Sequence, residues 1–384
     1  MDFDLTEEQQ LLTETLNRLL ADHYDFEQRK AYASSALGWS SEQWRRYADM
    51  GLLGLPFAEA DGGLGGGAIE TMLVMEAFGR SLVLEPFLAT VLLGGGLLQE
   101  CASAKQRSDL VPPIIAGERL LAFAHAETHS RYELCDVVTR ARRDPSGVGW
   151  VIDGHKRQVL NGDSAHQLLV SARLAGERRD RDGIGLFLVD ADAPGLERRG
   201  YVLQDCTRAA DFEFAGLKVA AGAALNDEGT ALPAIERVVE RTLAAICAEA
   251  VGAMSRAQEI TVEYLKVRRQ FGALLGSFQA LQHRAVDMLV LTEQARSMAM
   301  YAAMMCQDPD PAERSRAMAA AKVQIGKSGK FVGEQAIQLH GGIGMTEECQ
   351  IGHYYRRLTM IELLFGDRHF HLSALARSGG LLGG

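Results

Sequence analysis

Three stretches of this chain combine polar side chains with glycines in ways that could hold a ligand. Gln338 to Glu347 (QLHGGIGMTE) breaks helical text with Gly341, Gly342 and Gly344. Glycine admits positive φ and lets the backbone come close to a ligand. Amides exposed at such a break suit a phosphate or a carbonyl oxygen. Arg268 to Gln279 (RRQFGALLGSFQ), with Gln282 close behind, ends one long helix, crosses a glycine-bearing loop and starts another. Arg356 to Asp367 (RRLTMIELLFGD) has helical spacing and a glycine near its end. Taken singly, each has an ordinary reading: an interhelical turn, a helix–loop–helix with a solvated arginine pair, and a terminal helix. His340, inside the glycine-rich stretch, is of a kind more often structural than catalytic.

The elements that must carry these stretches fall into three textures. The first third reads as helices. Thr6 and Gln9 form a capping-box pattern with Leu5 as the staple residue, followed by Leu11, Leu12, Leu16, Leu19 and Leu20 at helical spacing. Further helices are expected over 42–50, stopping at Gly51, and over 68–78; the run ADGGLGGG at 60–67 is a loop. Pro112, Pro113 and Gly117 mark the end of this region. The middle has short β-branched and apolar runs at 137–142, 149–152, 167–172, 184–189, 200–203 and 210–214, separated by turn residues. That rhythm suits a small barrel or sandwich, with the charge run ERRDRD at 177–182 as a solvated hairpin tip. Beyond about Leu232 the text is helical, with long apolar faces over 238–268, 279–306, 312–339 and 349–376, as in a bundle with apolar surface to spare for oligomerisation.

Composition narrows the function. The formal net charge of -10 leaves no basic surplus for a nucleic-acid backbone, though it allows a local site for a phosphorylated ligand. The six cysteines, Cys101, Cys135, Cys206, Cys247, Cys306 and Cys349, show neither CxxC pairs nor metal spacing, and read as buried thiols in a reducing compartment. Met1 to Gln10 is acidic without a signal-like apolar stretch, and no window approaches the ~18 apolar residues of a membrane span. A cytoplasmic protein without a membrane is expected.

Together, and in this order behind a β-rich middle, the three stretches closely resemble the acyl-CoA dehydrogenase family. The resemblance extends through Gly51 to Leu64 (GLLGLPFAEADGGL), Ile152 to Gly162 (IDGHKRQVLNG) and Ala193 to Gly195 (APG). Glu76 to Thr90 (EAFGRSLVLEPFLAT) is similar to a bacterial branch that includes small subunits of pimeloyl-CoA dehydrogenases and steroid side-chain enzymes. The resemblance implies an α+β fold: an N-terminal helical domain (1–118), a middle β-barrel (119–230) and a C-terminal four-helix bundle (231–377), with 378–384 a disordered tail. It also implies a tetramer, bound FAD, an acyl-CoA substrate and electron transfer to an electron-transferring flavoprotein. The family reaction is α,β-dehydrogenation of the thioester: a carboxylate removes the α proton, the β hydride passes to the flavin, and the thioester oxygen must be hydrogen-bonded.

In the family each FAD is held by two chains. The contacts lent by a neighbouring chain match well here: Arg268, suited to a pyrophosphate oxygen, with Phe271, Gln279, Gln338, Gly341 and Gly342. The contacts that a chain makes to its own flavin ring match poorly. Positions held by Trp and Thr in the family fall at Gln158 and Leu160, and the ring-contacting Thr falls near Ala126, before Glu127 in FAHAETHSRYE (123–133). The family's base position on the terminal helix falls at Phe365, before Gly366 and Asp367, and its alternative position falls at Thr242, with an accompanying Arg replaced by Leu243 beside Arg241. Glu240, Glu249, Glu362 and Asp367 remain as acids nearby in sequence, each also readable as a solvated or paired helix residue, so no catalytic residue is assigned. Two readings follow. In one, the chain is a partner subunit that lends FAD contacts to a homologous catalytic chain in a heterotetramer. In the other, it is a self-sufficient homo-oligomeric dehydrogenase, or an oxidase, with a displaced glutamate. The branch resemblance favours a bulky or dicarboxylic acyl-CoA from fatty acid or steroid catabolism.

Overall fold

A computed structural model describes residues 5–145 and 147–379. Of the expected disordered tail, 380–384 lie outside the described residues. Among the described residues, six α-helices come first: α1 (Glu7–His23), α2 (Phe26–Ala33), α3 (Ser41–Asp49), α4 (Ala68–Ser81), α5 (Gly96–Cys101) and α6 (Ala104–Ile115). The Thr6–Gln9 capping box is formed in both directions, and α1 buries Leu16 and Leu20. Pro112 and Pro113 do not end the helical text but sit inside α6. A proline lacks a donor but keeps its carbonyl, and the amides of Ala116, Glu118 and Arg119 return to the carbonyls of Pro112 and Pro113.

Eight strands follow: β1 (Leu121–Ala124), β2 (Arg140–Arg143), β3 (Trp150–Leu160), β4 (Gln167–Arg173), β5 (Ile184–Asp190), β6 (Leu196–Val202), β7 (Arg208–Val219) and β8 (Ala224–Asn226). They make one sheet in the order β6-β7-β3-β2-β4-β5-β8, with β1 parallel to β4. The sheet encloses one core that includes Trp150, Phe187, Phe212 and Phe214. Strand β3 runs far past the expected 149–152, because its pairing with β7 continues across two register shifts and the polar text hid it. Strand β1 is buried at every position and so shows no alternation to read. The charge run 177–182 lies between antiparallel β4 and β5 and is exposed, as expected. It is also clamped. Arg173 is 2% exposed, and its guanidinium donates to the carbonyls of Cys135, Val137, Arg178, Asp180 and Asp182.

The C-terminal helices are α7 (Leu232–Val267), α8 (Gln279–Met305), α9 (Pro311–His340), α10 (Gln350–Leu363) and α11 (Arg368–Arg377). Two-residue strands β9 (Arg269–Gln270) and β10 (Ala273–Leu274) pair between α7 and α8. The expected single helix over 349–376 is two, broken at 364–367. Lys322, 1% exposed on α9, explains the stop: its ammonium donates to the carbonyls of Ile361 (2.6 Å), Glu362 (3.2 Å) and Leu364 (3.0 Å). A cation at a helix C-terminus takes up the unsatisfied carbonyls and opposes the dipole. Phe365 then turns to φ 54° and Gly366 to φ 120°, and Asp367 caps α11 by accepting from the Phe370 amide.

The chain folds into two compact units. One comprises 1–31, 68–83 and 243–384; the other comprises 32–67 and 84–242. Inside the first, α4 and α7 cross at glycines. A Cβ on Gly79 would lie 1.9 Å from the Glu249 carbonyl oxygen, and one on Gly252 would lie 1.9 Å from that of Glu76. The order of helices, then sheet, then helices is the α+β arrangement expected from the sequence.

Candidate cofactor-lending surface

The two glycine-bearing stretches meet at one end of the helical unit. The Tyr264 ring on α7 stacks on His340 of α9 at 4.4 Å, and its hydroxyl donates to the His340 carbonyl at 3.4 Å. That contact sets the loop after α7 beside the turn after α9. His340 is buried, and its Nδ1–H donates to the Ala336 carbonyl at 2.8 Å, so its role is structural. Burial lowers its pKa and keeps the ring neutral.

The six residues read as lending contacts are all solvent-exposed. Arg268 follows α7, and Gln279 opens α8. Between them the β9–β10 pairing presents Phe271 and Gly272 at its tip, with φ of 54° and 77°. Gln282, noticed in the sequence only for its place, shapes this loop by donating to the Gly276 carbonyl at 2.7 Å. Phe271 is 91% exposed, an unusual setting for an aromatic ring, and it packs edge-on toward Phe278. Gln338 lies in the last turn of α9. Gly341 has φ 66°, and a Cβ on Gly341 or Gly342 would meet no atom within 4 Å among the described residues. A guanidinium, two amides, an aromatic face and a glycine turn thus stand clear of this chain's own packing. They fit a phosphate-bearing cofactor seated outside the chain that offers them.

The residues that would face a flavin ring on this chain's own sheet fit less well. The stretch 123–133 is well anchored: the Arg157 amide donates to the Ala126 carbonyl, and Glu127 accepts from the amides of Val138 and Thr139. Lys156, fully buried, donates to Glu127 Oε1 at 2.8 Å, to the His125 carbonyl at 3.0 Å and to Ser171 Oγ at 3.1 Å. Burial drives the Lys156 pKa down and drives that of His125 down to about 3. The backbone is in place, yet the Ala126 and Leu160 side chains bring only carbon atoms to the positions where the resemblance expects a hydroxyl. Gln158 is held at φ 52°, and its amide is spent on Asp211 Oδ1 at 3.0 Å.

The acids are accounted for individually. Glu249 is 3% exposed and forms a two-pronged pair with Arg357 of α10, at 2.6 Å to Nε and 2.8 Å to Nη2. Glu362 faces Arg368 at 4.0 Å, and Asp367 caps α11. Thr242 is buried and donates to the Val238 carbonyl at 2.8 Å, while Arg241 pairs with Glu100 at 2.8 Å. Glu240 is half-buried. The sequence reading missed Lys322 and the Arg357 partner of Glu249. Their one signal was a charge set in an apolar helical face, as in AMAAAKVQIG at 317–326.

Comparison with known proteins agrees along the whole chain. Family models described as acyl-CoA dehydrogenase N-terminal, middle and C-terminal domains match residues 6–118, 122–212 and 233–380. Acryloyl-CoA reductase (NADH) of Anaerotignum propionicum is 25% identical over 383 residues, covering 98% of this chain and 95% of that protein. A solved structure of a single-substitution variant of the Tcur3481-Tcur3483 steroid ACAD is 31% identical, covers 97% of both chains and superposes with a TM-score of 0.86. The fold of the ChsE4-ChsE5 complex from Mycobacterium tuberculosis is equally alike, at 24% identity, 98% coverage of both chains and a TM-score of 0.86.

Proposed function

Because the chain belongs to the acyl-CoA dehydrogenase family of FAD-dependent oxidoreductases, we propose that it is the cofactor-lending partner of a homologous catalytic chain in a heterotetrameric acyl-CoA dehydrogenase. One observation carries the reading. The positions that the resemblance assigns to another chain's cofactor keep matching residue types and are exposed, while those that it assigns to a flavin ring and a base on this chain hold Ala126, Gln158, Leu160, Thr242 and Phe365. The two-component names of the steroid-type relative and of the ChsE4-ChsE5 complex support it, the second through fold alone.

When bound, FAD supplies the hydride-accepting chemistry of α,β-dehydrogenation. This chain would hold it from the far side. Arg268 offers paired donors to a pyrophosphate oxygen, Gln279 and Gln338 offer amides that both donate and accept, and the 341–342 turn offers backbone N–H groups. Phe271 covers an apolar face and sheds its exposure to water. In this reading the proton-abstracting carboxylate comes from the partner chain, since Phe365 and Thr242 stand at the two base positions, Glu249 is neutralised by Arg357 and Asp367 is occupied as a helix cap; Glu240 and Glu362 are left for the test below. An electron-transferring flavoprotein takes the electrons, and the steroid-type relative favours a bulky acyl group.

The chain expressed alone should retain little FAD and show negligible acyl-CoA oxidation. Co-expressed with its homologous partner, it should purify as a complex with one FAD for every two chains. Arg268→Ala in that complex should lower FAD retention by about tenfold, the loss of one charge-assisted contact. Full activity from the lone chain would overturn the proposal in favour of a displaced base, and Glu240→Gln and Glu362→Gln would then identify it.

A further inference from the structure

The helical unit contains a cleft of about 890 Å³ that the cofactor-lending residues do not line. Its wall is built by α1, α2, α4, α7 and α10. Three of these helices contribute an arginine: Arg29 from α2, Arg80 from α4 and Arg256 from α7. Arg29 is 2% exposed; its Nε donates to the Leu82 carbonyl at 2.8 Å, and its Nη1 lies 3.3 Å from His353 Nδ1. Burial, first, and the neighbouring arginines lower the His353 pKa, so that ring adds no charge. Arg80 and Arg256 both reach a single carboxylate oxygen, Glu259 Oε2, at 2.9 and 3.2 Å.

The acids around the cleft are already engaged. Asp25 accepts from the Gln28 amide at 2.8 Å at the start of α2, and Glu76 is paired with Arg296. Three arginines (29, 80 and 256) and two carboxylates (25 and 76) line the cleft; Glu259 lies behind Arg80 and Arg256, and Arg296 with Glu293 lies behind Glu76. A guanidinium has five N–H donors, so one shared carboxylate oxygen leaves Arg80 and Arg256 with donors to give. Leu20, Tyr24 and Phe26 supply an apolar wall beside them. The volume lies within the roughly 300–1,000 Å³ of small-molecule sites.

We propose that this cleft binds a small organic anion, its phosphate or carboxylate group held by Arg80 and Arg256 and its apolar body laid on Leu20, Tyr24 and Phe26. The proposal is independent of the partner-chain reading, since it concerns residues that play no part in lending the cofactor. The arginine forks that line the cleft fix the anion's head group through charge-assisted hydrogen bonds.

The test is calorimetric titration of the full-length chain at low ionic strength with phenyl phosphate, benzoate, inorganic phosphate and phenyltrimethylammonium. Phenyl phosphate or benzoate should bind saturably, more tightly than inorganic phosphate, and weaken as salt is raised. Whichever of the two binds better identifies the head group. Arg256→Gln and Arg80→Gln should each weaken binding by about tenfold. Both side chains are partly exposed, at 43% and 34%, so neither substitution should disturb folding, as unchanged circular dichroism would verify. The proposal fails if neither organic anion saturates up to about 10 mM, if inorganic phosphate binds as tightly as they do, if phenyltrimethylammonium binds better, or if both arginine variants bind like the parent.

Discussion

The Glu249–Arg357 pair offers a direct test of whether an acid near the family's catalytic region is chemical or structural. The two side chains are 4% and 10% exposed and meet through two short hydrogen bonds that tie α7 to α10. Removing one member of a buried pair strands the other charge without water, at a cost of about 3–5 kcal/mol. Glu249→Gln keeps an acceptor for one arginine N–H but turns its NH2 toward the cation, so a loss near the lower bound, about 3 kcal/mol, is expected. Glu249→Leu keeps no acceptor, and about 5 kcal/mol is expected. The double change Glu249→Leu/Arg357→Met removes both charges and fills the space with carbon, so it should recover most of that loss, because desolvation of the pair offsets most of its attraction. Urea unfolding followed by far-ultraviolet circular dichroism measures these three and Arg357→Met alone, and the cycle of Glu249→Leu, Arg357→Met and the double change should give a coupling energy of at least about 3 kcal/mol. If Glu249→Gln kept its unfolding midpoint while the assembled complex lost acyl-CoA oxidation, the carboxylate would be acting as a base and the structural assignment would be wrong.

Three further outcomes are expected. Burial, with Lys322 next in effect, pushes the His371 pKa from 6.5 down to about 4. The unfolded chain therefore binds a proton between those values that the folded chain refuses, so stability should fall by up to about 3 kcal/mol on acidification from pH 6.5 to 4, and His371→Gln should flatten that part of the pH–stability curve. Arg173→Lys should cost about 2–4 kcal/mol, since one ammonium cannot replace a fork bound to five carbonyls, and hydrogen exchange should rise first at 135–137 and 178–182. Gly252→Ala drives a methyl to 1.9 Å from the Glu76 carbonyl oxygen and should cost about 3 kcal/mol or more in thermal unfolding, while Gly342→Ala, which meets open space, should leave stability unchanged but lower FAD retention in the assembled complex.

Long-period features were legible in the sequence, and features that depend on partners distant in the chain were not. The helices after residue 232 could be placed within a few residues because their apolar faces repeat over many turns. The break at 364–367 escaped because its cause, Lys322, lies about forty residues away, and text such as RRLTMIELLFGD looks continuous until that ammonium is set against its carbonyls. Strand β3 was truncated for a similar reason: His155 to Gln158 are polar text, but the Lys156 side chain turns inward, fully buried, to Glu127 and Ser171. The glycine turn at 341–342 was legible as a break in helical text, because glycine admits the positive φ that Gly341 adopts. That Phe271 stands almost wholly in water could not be read, since exposure depends on which faces the rest of the chain covers.

The interleaving of the two units has a consequence for biosynthesis. The unit that begins with residues 1–31 is completed only by residues after 243. At about 5–20 residues per second, the ribosome needs roughly 10–40 s to cover that interval. Over that time α1 has emerged, while Leu16 and Leu20 lack the later helices of their own unit. The segments that build the sheet are complete by residue 242 and can condense first. Nascent chains released before α7 should therefore present an amphipathic first helix to chaperones, and full-length chains should acquire protease resistance in the sheet segment before they acquire it at α1.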